Sequence, residues 1–179
     1  MANANTIQRS NKTPSAALGN ATSETQFTDS DGNVLTAYLP ATRKLVEGSA
    51  GILRVKVGGR VTGGTTTDWT PKLYWGNSST IASNSAIATA TAFSVVSTST
   101  NWHLEATLIW DATSAKVNGW FQGQNGTTTI SPTTLSNAQT SKDLTASDST
   151  SVGFSVTGLF GSTNAGNTAY VDYFDVESY

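Results

Sequence analysis

The sequence lacks cysteine, holds one histidine (His103) and one methionine, and only 12% of its 179 residues are charged. Each shortage excludes something. Without cysteine there is no disulfide framework and no thiolate chemistry, so nothing calls for an oxidising compartment. A lone histidine beside no cysteine excludes a structural zinc centre built from the usual nitrogen and sulfur ligands. No window keeps the 3.6-residue apolar period of a helix. No apolar run approaches the roughly 18 residues of a membrane span, and residues 1–24 contain no apolar core of signal-peptide length. A protein made and assembled in the cytoplasm is the expectation. The net charge is −2, split between seven basic and four acidic residues in 1–60 and three basic and eight acidic residues in 61–179. Such a small basic excess is too weak to indicate a nucleic-acid partner.

What is abundant is hydroxyl and amide. The chain has 30 Thr, 22 Ser and 13 Asn, together about 36% of its residues. Threonine suits strands, and serine and asparagine suit turns. Residues 1–24 are polar, aperiodic and broken by Pro14 and Gly19, which predicts an extended, flexible N-terminal arm. Residues 25–179 read as one domain. Asp29-Ser30-Asp31-Gly32-Asn33 between two apolar runs is a hairpin signal. Leu53, Val55 and Val57 alternate with Arg54 and Lys56, the mark of a half-exposed strand. Lys72–Trp75 reads as a short aromatic strand, and Thr89, Thr91, Phe93 and Val95 as one period-2 run. Residues 102–124 form the clearest hairpin, with Leu104, Ala106, Leu108 and Trp110 on one face and Val117 and Phe121 returning. Residues 125–150 are nearly all polar and read as a long surface excursion. The last run places Tyr170, Asp172, Phe174 and Val176 against Val171, Tyr173 and Asp175. About eight strands joined by polar loops predict an all-β fold, an antiparallel two-sheet sandwich of jelly-roll type.

Chemistry is sparse in this pattern. His103 is the sole candidate base for a nucleophile, and alternation puts it on an outward sheet face with Glu105 and Thr107. Glu105 and Asp111 are too far apart along one strand to form a glycosidase pair. Asp29, Asp31 and Asn33 carry Gly32 at the wrong position for a calcium loop. Gly58-Gly59 and Gly63-Gly64 lack the lysine of a phosphate loop and read as bulges or bends. No catalytic, metal-binding or cofactor residue is predicted. Five tryptophans remain: Trp69, Trp75, Trp102, Trp110 and Trp120. Trp120 opposes the parity of Val117 and Phe121, so it is either exposed or covered by a neighbouring chain. Trp75 and Trp120 are the candidate platform for stacking on a sugar ring.

The segment WHLEATLIWDATSAKVNGWFQGQ, with the closing GFSVTGLFGSTNAGNTAYVDYFDVES, resembles the jelly-roll virion proteins of tailed bacteriophages, head decoration or cement proteins most of all. That resemblance implies a structural, non-enzymatic protein on the capsid exterior of the virion, made in the host cytoplasm. It further implies a homotrimer that binds the major capsid protein and reinforces contacts between capsomers. In that setting Arg9, Lys12, Arg43, Lys44, Arg54, Lys56, Arg60 and Trp120 are the candidate interface, with Arg43, Lys44, Arg54, Lys56 and Arg60 facing an acidic capsid surface and the arm clasping a neighbour. No nucleic acid or membrane partner is expected. The competing expectation is a carbohydrate-binding or host-receptor-binding β-sandwich, or a tail appendage of the same fold.

Overall fold

Alternation decides the longest strands of the computed structural model, which describes residues 6–9, 14–39, 51–76, 78–111, 116–125, 128–134, 139–140 and 152–178. Strand β5 (Gly51–Thr62) buries Leu53, Val55, Val57 and Val61, and turns Arg54, Lys56 and Arg60 outward. Strands β9 (Thr100–Asp111) and β10 (Lys116–Asn125) form the predicted hairpin, burying Trp102, Leu104, Ala106, Leu108 and Phe121. With β14 (Thr168–Ser178), β1 (Thr6–Arg9) and β11 (Thr128–Thr134) they make one antiparallel sheet in the order β1-β14-β5-β9-β10-β11. The short β2 (Leu18–Gly19) and β12 (Gln139–Thr140) pair with β14 and β10.

The second sheet runs β3-β13-β6-β7, from β3 (Thr25–Gln26), β13 (Val152–Phe160), β6 (Thr67–Trp75) and β7 (Ser85–Thr89). β4 (Thr36–Leu39) continues along β13 beyond β3, and β8 (Phe93–Val95) pairs with β6. Between β3 and β4 the Asp-Gly loop closes as predicted: Asp29 Oδ1 accepts from the backbone N–H groups of Asp31 and Asn33 at 2.9 Å each. Gly32 supplies a φ of 84°. The only helical turn among the described residues is a 3₁₀ turn, Ile81–Ser83, and no helix there is long and apolar enough to cross a membrane. The protein is an all-β sandwich of two antiparallel sheets.

Between the sheets lies an aromatic cluster. Trp69 packs on Phe160 with ring centroids 4.8 Å apart, and Phe27 and Trp102 close on it at 6.1 Å. Trp75 packs edge-on against Phe154 at 5.1 Å.

Four expectations are corrected. Residues 1–24 do not form a free arm over their described part. β1 pairs residue for residue with the C-terminal β14, Ser15 donates its backbone N–H to Val171, and Leu18 is buried. An apolar residue and backbone donors that find partners on the sandwich outweigh the entropy of a short polar segment. The 125–150 excursion contains β11 and β12, because a threonine-rich run has strand propensity without needing an apolar face. The 89–95 run divides into β7 and β8, with Ala90 buried between them. The closing strand changes parity: Val171 and Phe174 both point inward, and Asp172 is an extra residue with no partner across β5.

Candidate functional site

That extra residue builds the site. Val171 pairs with Gly59 and Tyr173 with Gly58, so the bulge at Asp172 lets two consecutive side chains, Asp172 and Tyr173, face outward. The glycines were expected to mark a bulge or bend, and they lie opposite one. Gly58 leaves room above the sheet, and the Tyr173 phenol fills it. A Cβ at Gly58 would stand 2.6 Å from the Tyr173 hydroxyl. Across the next two strands Gly58 pairs with His103, and His103 with Gln124. Tyr173, Gly58, His103 and Gln124 therefore form one row across β14, β5, β9 and β10.

The row opens a shallow cleft of about 510 Å³ on the outer face of the larger sheet. Asn101, His103, Gln124, Asp172 and Tyr173 line it, together with Gly59 and Trp102. Tyr173 is 38% exposed, one of few large apolar-bodied side chains so placed among the described residues. Burial, then the nearby charges of Asp175 and Glu105, push its phenol up to about 12, so it stays a hydrogen-bond donor at neutral pH. Asp172 is held by Arg60, whose Nε donates to Oδ2 at 2.8 Å and Nη2 to Oδ1 at 2.9 Å. Arg60 rests over the Tyr170 ring, 5.2 Å from its centroid.

The rest of the predicted interface is placed as follows. His103 stands outward beside Glu105, as alternation predicts. Lys56 Nζ donates to both oxygens of Glu177 at 2.9 and 2.8 Å, and Arg54 Nε lies 3.9 Å from Glu105. Arg54, Lys56 and Arg60 thus each meet a carboxylate of this chain. Arg9 lies in β1 opposite Asp175; Lys12, Arg43 and Lys44 lie outside the described residues. Trp120 occupies a β10 position paired with Thr107, four residues along β9 from His103. Trp75 is corrected: it is 8% exposed and belongs to the core, since its ring is needed against Phe154. Composition drew attention to tryptophan, so Tyr173 was missed. The signal that could have found it is the pairing of Gly58-Gly59 with Asp172-Tyr173 across neighbouring strands.

A second polar cluster lies elsewhere. Glu24 accepts from Lys72 Nζ at 2.7 Å, from the Tyr74 hydroxyl at 2.5 Å and from Thr157 Oγ1 at 2.7 Å. Burial alone would raise the carboxyl of Glu24. The hydrogen bonds from Lys72, Tyr74 and Thr157 outweigh it and hold the group below its ordinary range. This cluster fastens the N-terminal segment to the smaller sheet; its acceptors are already engaged. Among the described residues no three His, Asp or Glu side chains come together to hold a metal ion.

No protein-family model matches the chain, and no curated protein matches it. Among solved structures, a lectin from Bauhinia forficata in complex with GalNAc is similar at 12% identity, with 98% of this chain and 99% of that one covered and a TM-score of 0.35. The metal-free form of a lectin from Griffonia simplicifolia is similar at 12% identity, with 98% and 93% covered and a TM-score of 0.34. At these TM-scores the likeness says nothing about ligand or site.

Proposed function

We propose that the protein is a non-enzymatic carbohydrate-binding β-sandwich module whose site is the Tyr173 cleft. The observation that carries this reading is the row Tyr173–Gly58–His103–Gln124, where a half-exposed ring stands beside amide, imidazole and carboxylate groups in one open cleft. A sugar ring has an apolar C–H face and a rim of hydroxyls that both donate and accept. Asn101 and Gln124 offer the same dual capacity, Asp172 accepts, and Tyr173 offers a flat apolar surface with a donor at its tip. The open cleft suits weak, specific contact made effective by repetition on a surface.

Binding of the full chain to an array of immobilised oligosaccharides tests the reading, with Tyr173→Ala as the site variant. The wild-type protein is expected to bind a subset of the array, and Tyr173→Ala to weaken that binding at least about tenfold with the thermal midpoint little changed. An array blank for the wild-type protein, or unaltered binding by the variant, overturns it.

The capsid-decoration reading keeps one observation in its favour, the low-charge surface rich in threonine, serine and asparagine. The ion pairs of Arg54, Lys56 and Arg60 remove part of its electrostatic argument. Co-sedimentation with undecorated heads is its test, and protein left wholly in the supernatant ends it.

A further inference from the structure

The polar groups of the cleft also select among sugars. We infer that the cleft takes neutral pyranosides through a pair of adjacent hydroxyls and turns away uronic acids, sialic acids and sulfated sugars, with Asp172 as the deciding residue. This rests on the carbohydrate-binding reading and adds the class of ligand.

The geometry of Asp172 carries the inference. The bulge presents its carboxylate at the cleft, and the Arg60 guanidinium engages both oxygens from one side. Arg60 is itself positioned by the Tyr170 ring. A carboxylate accepts and never donates while ionised, and each oxygen has lone-pair capacity for more than one hydrogen. With one direction on each oxygen taken by Arg60, the capacity that remains is matched by two O–H donors side by side, which is what a vicinal diol presents. A uronate or a sulfate brings oxygens without hydrogens, and a like charge.

The three β5 cations on this face could offset that repulsion only by giving up a partner. Arg60 is engaged by Asp172, Lys56 by Glu177, and Arg54 lies against Glu105. The charges of Glu105 and Asp175 bear on Tyr173 itself. Asn101, paired with Arg60 across β5 and β9, and Gln124, at the end of the row opposite Tyr173, are neutral and accommodate hydroxyls in either sense. The cleft therefore combines acceptors for neutral donors with β5 cations already occupied by carboxylates, which leaves an anion no ready counter-charge there.

The test uses the full chain against paired immobilised oligosaccharides: neutral hexosides, and counterparts of the same linkage that carry a carboxylate, a sialic acid or a sulfate. The wild-type protein is expected to bind at least one neutral member about tenfold or more tighter than its acidic counterpart. Asp172→Asn is expected to weaken the neutral interaction and to shrink that ratio toward one. Equal or tighter binding of the acidic members by the wild-type protein overturns the inference and leaves the carbohydrate reading standing. A ratio unchanged in Asp172→Asn overturns the role of Asp172. Silence toward every neutral and acidic member overturns the carbohydrate reading itself. Solution competition of the wild-type protein by free neutral and acidic sugars reads the same discrimination without any variant.

Discussion

At the scale of single residues, two adjacent glycines separate stability from site geometry. Gly59 is buried, and a Cβ there would stand 1.9 Å from the backbone carbonyl oxygen of Tyr170. Backbone cannot move aside without breaking the β5–β14 ladder. Gly59→Ala is therefore expected to destabilise the protein by about 3 kcal/mol or more, at the upper end of what point substitutions do. Gly58 differs in what its Cβ would meet. The Tyr173 hydroxyl lies 2.6 Å away and can swing outward, but the Trp102 carbonyl oxygen at 2.7 Å is backbone of β9 and must shift as well. Gly58→Ala is expected to cost about 2–3 kcal/mol, the upper part of the overpacking range, while displacing the ring that floors the cleft. Urea unfolding of both variants, with the intrinsic fluorescence of the folded states, checks the contrast. Folded-state fluorescence unchanged in Gly58→Ala would show that Tyr173 does not rest on Gly58. Much at this scale was legible in the sequence. The alternation of Leu53, Val55 and Val57 with Arg54 and Lys56 determines which side of β5 faces the core, because the wrong register would bury two cations. Trp75 was not legible: a tryptophan in a strand has the same appearance in sequence whether it meets Phe154 or solvent.

At the scale of elements, what counts is how short strands are held. β3 is two residues long and cannot persist by its own ladder. Glu24, immediately before it, reaches Lys72 and Tyr74 on β6 and Thr157 on β13, so one carboxylate ties three strands together. Removing it leaves donors without their acceptor, at a cost of about 1–3 kcal/mol. The pH dependence has a definite sign. Glu24 titrates below its ordinary 4.5 in the folded protein, so its contribution is complete above 4.5 and is lost as pH falls through the lower, folded value. Glu24→Gln is expected to lower stability at neutral pH and to flatten the decline below pH 4.5; denaturant midpoints from pH 3 to pH 7 read both. A decline equally steep in the variant would assign the acid sensitivity to other carboxylates. This clamp could not be seen beforehand, because Glu24 and Thr157 are separated by 133 positions and only the sheet order joins them. The bulge in β14 was hidden for a related reason. In AYVDYFDV either register leaves apolar residues on both faces, and the choice is made across the ladder, where Gly58 admits the Tyr173 ring.

At the scale of the whole molecule, sequence patterning led reliably to the sandwich, since hydroxyl-rich alternation without helical period has few other folded solutions. It did not lead to the site, because a cleft assembled from β5, β9, β10 and β14 has no local signature. The same composition leaves two opposed accounts of what the surface does, and ionic strength separates them. If the protein docked through its cations onto an acidic surface, affinity would fall steeply with added salt, since screening acts on exposed charges within about 10 Å at 0.1 M. The structure instead pairs Lys56 with Glu177 and Arg60 with Asp172 at 2.8 Å, and sets Arg54 3.9 Å from Glu105. A neutral ligand meeting Tyr173, Asn101 and Gln124 exchanges hydrogen bonds with water and covers apolar surface, and neither step depends strongly on salt. Affinity for the best neutral oligosaccharide is therefore expected to change less than about threefold between 50 and 500 mM sodium chloride, far less than for charge-steered association. Calorimetric titration at the two salt concentrations measures it. A loss of tenfold or more would move the interaction from the cleft to the charged residues. A flat response, together with the loss in Tyr173→Ala, would place it at the one aromatic ring that the bulge turns outward.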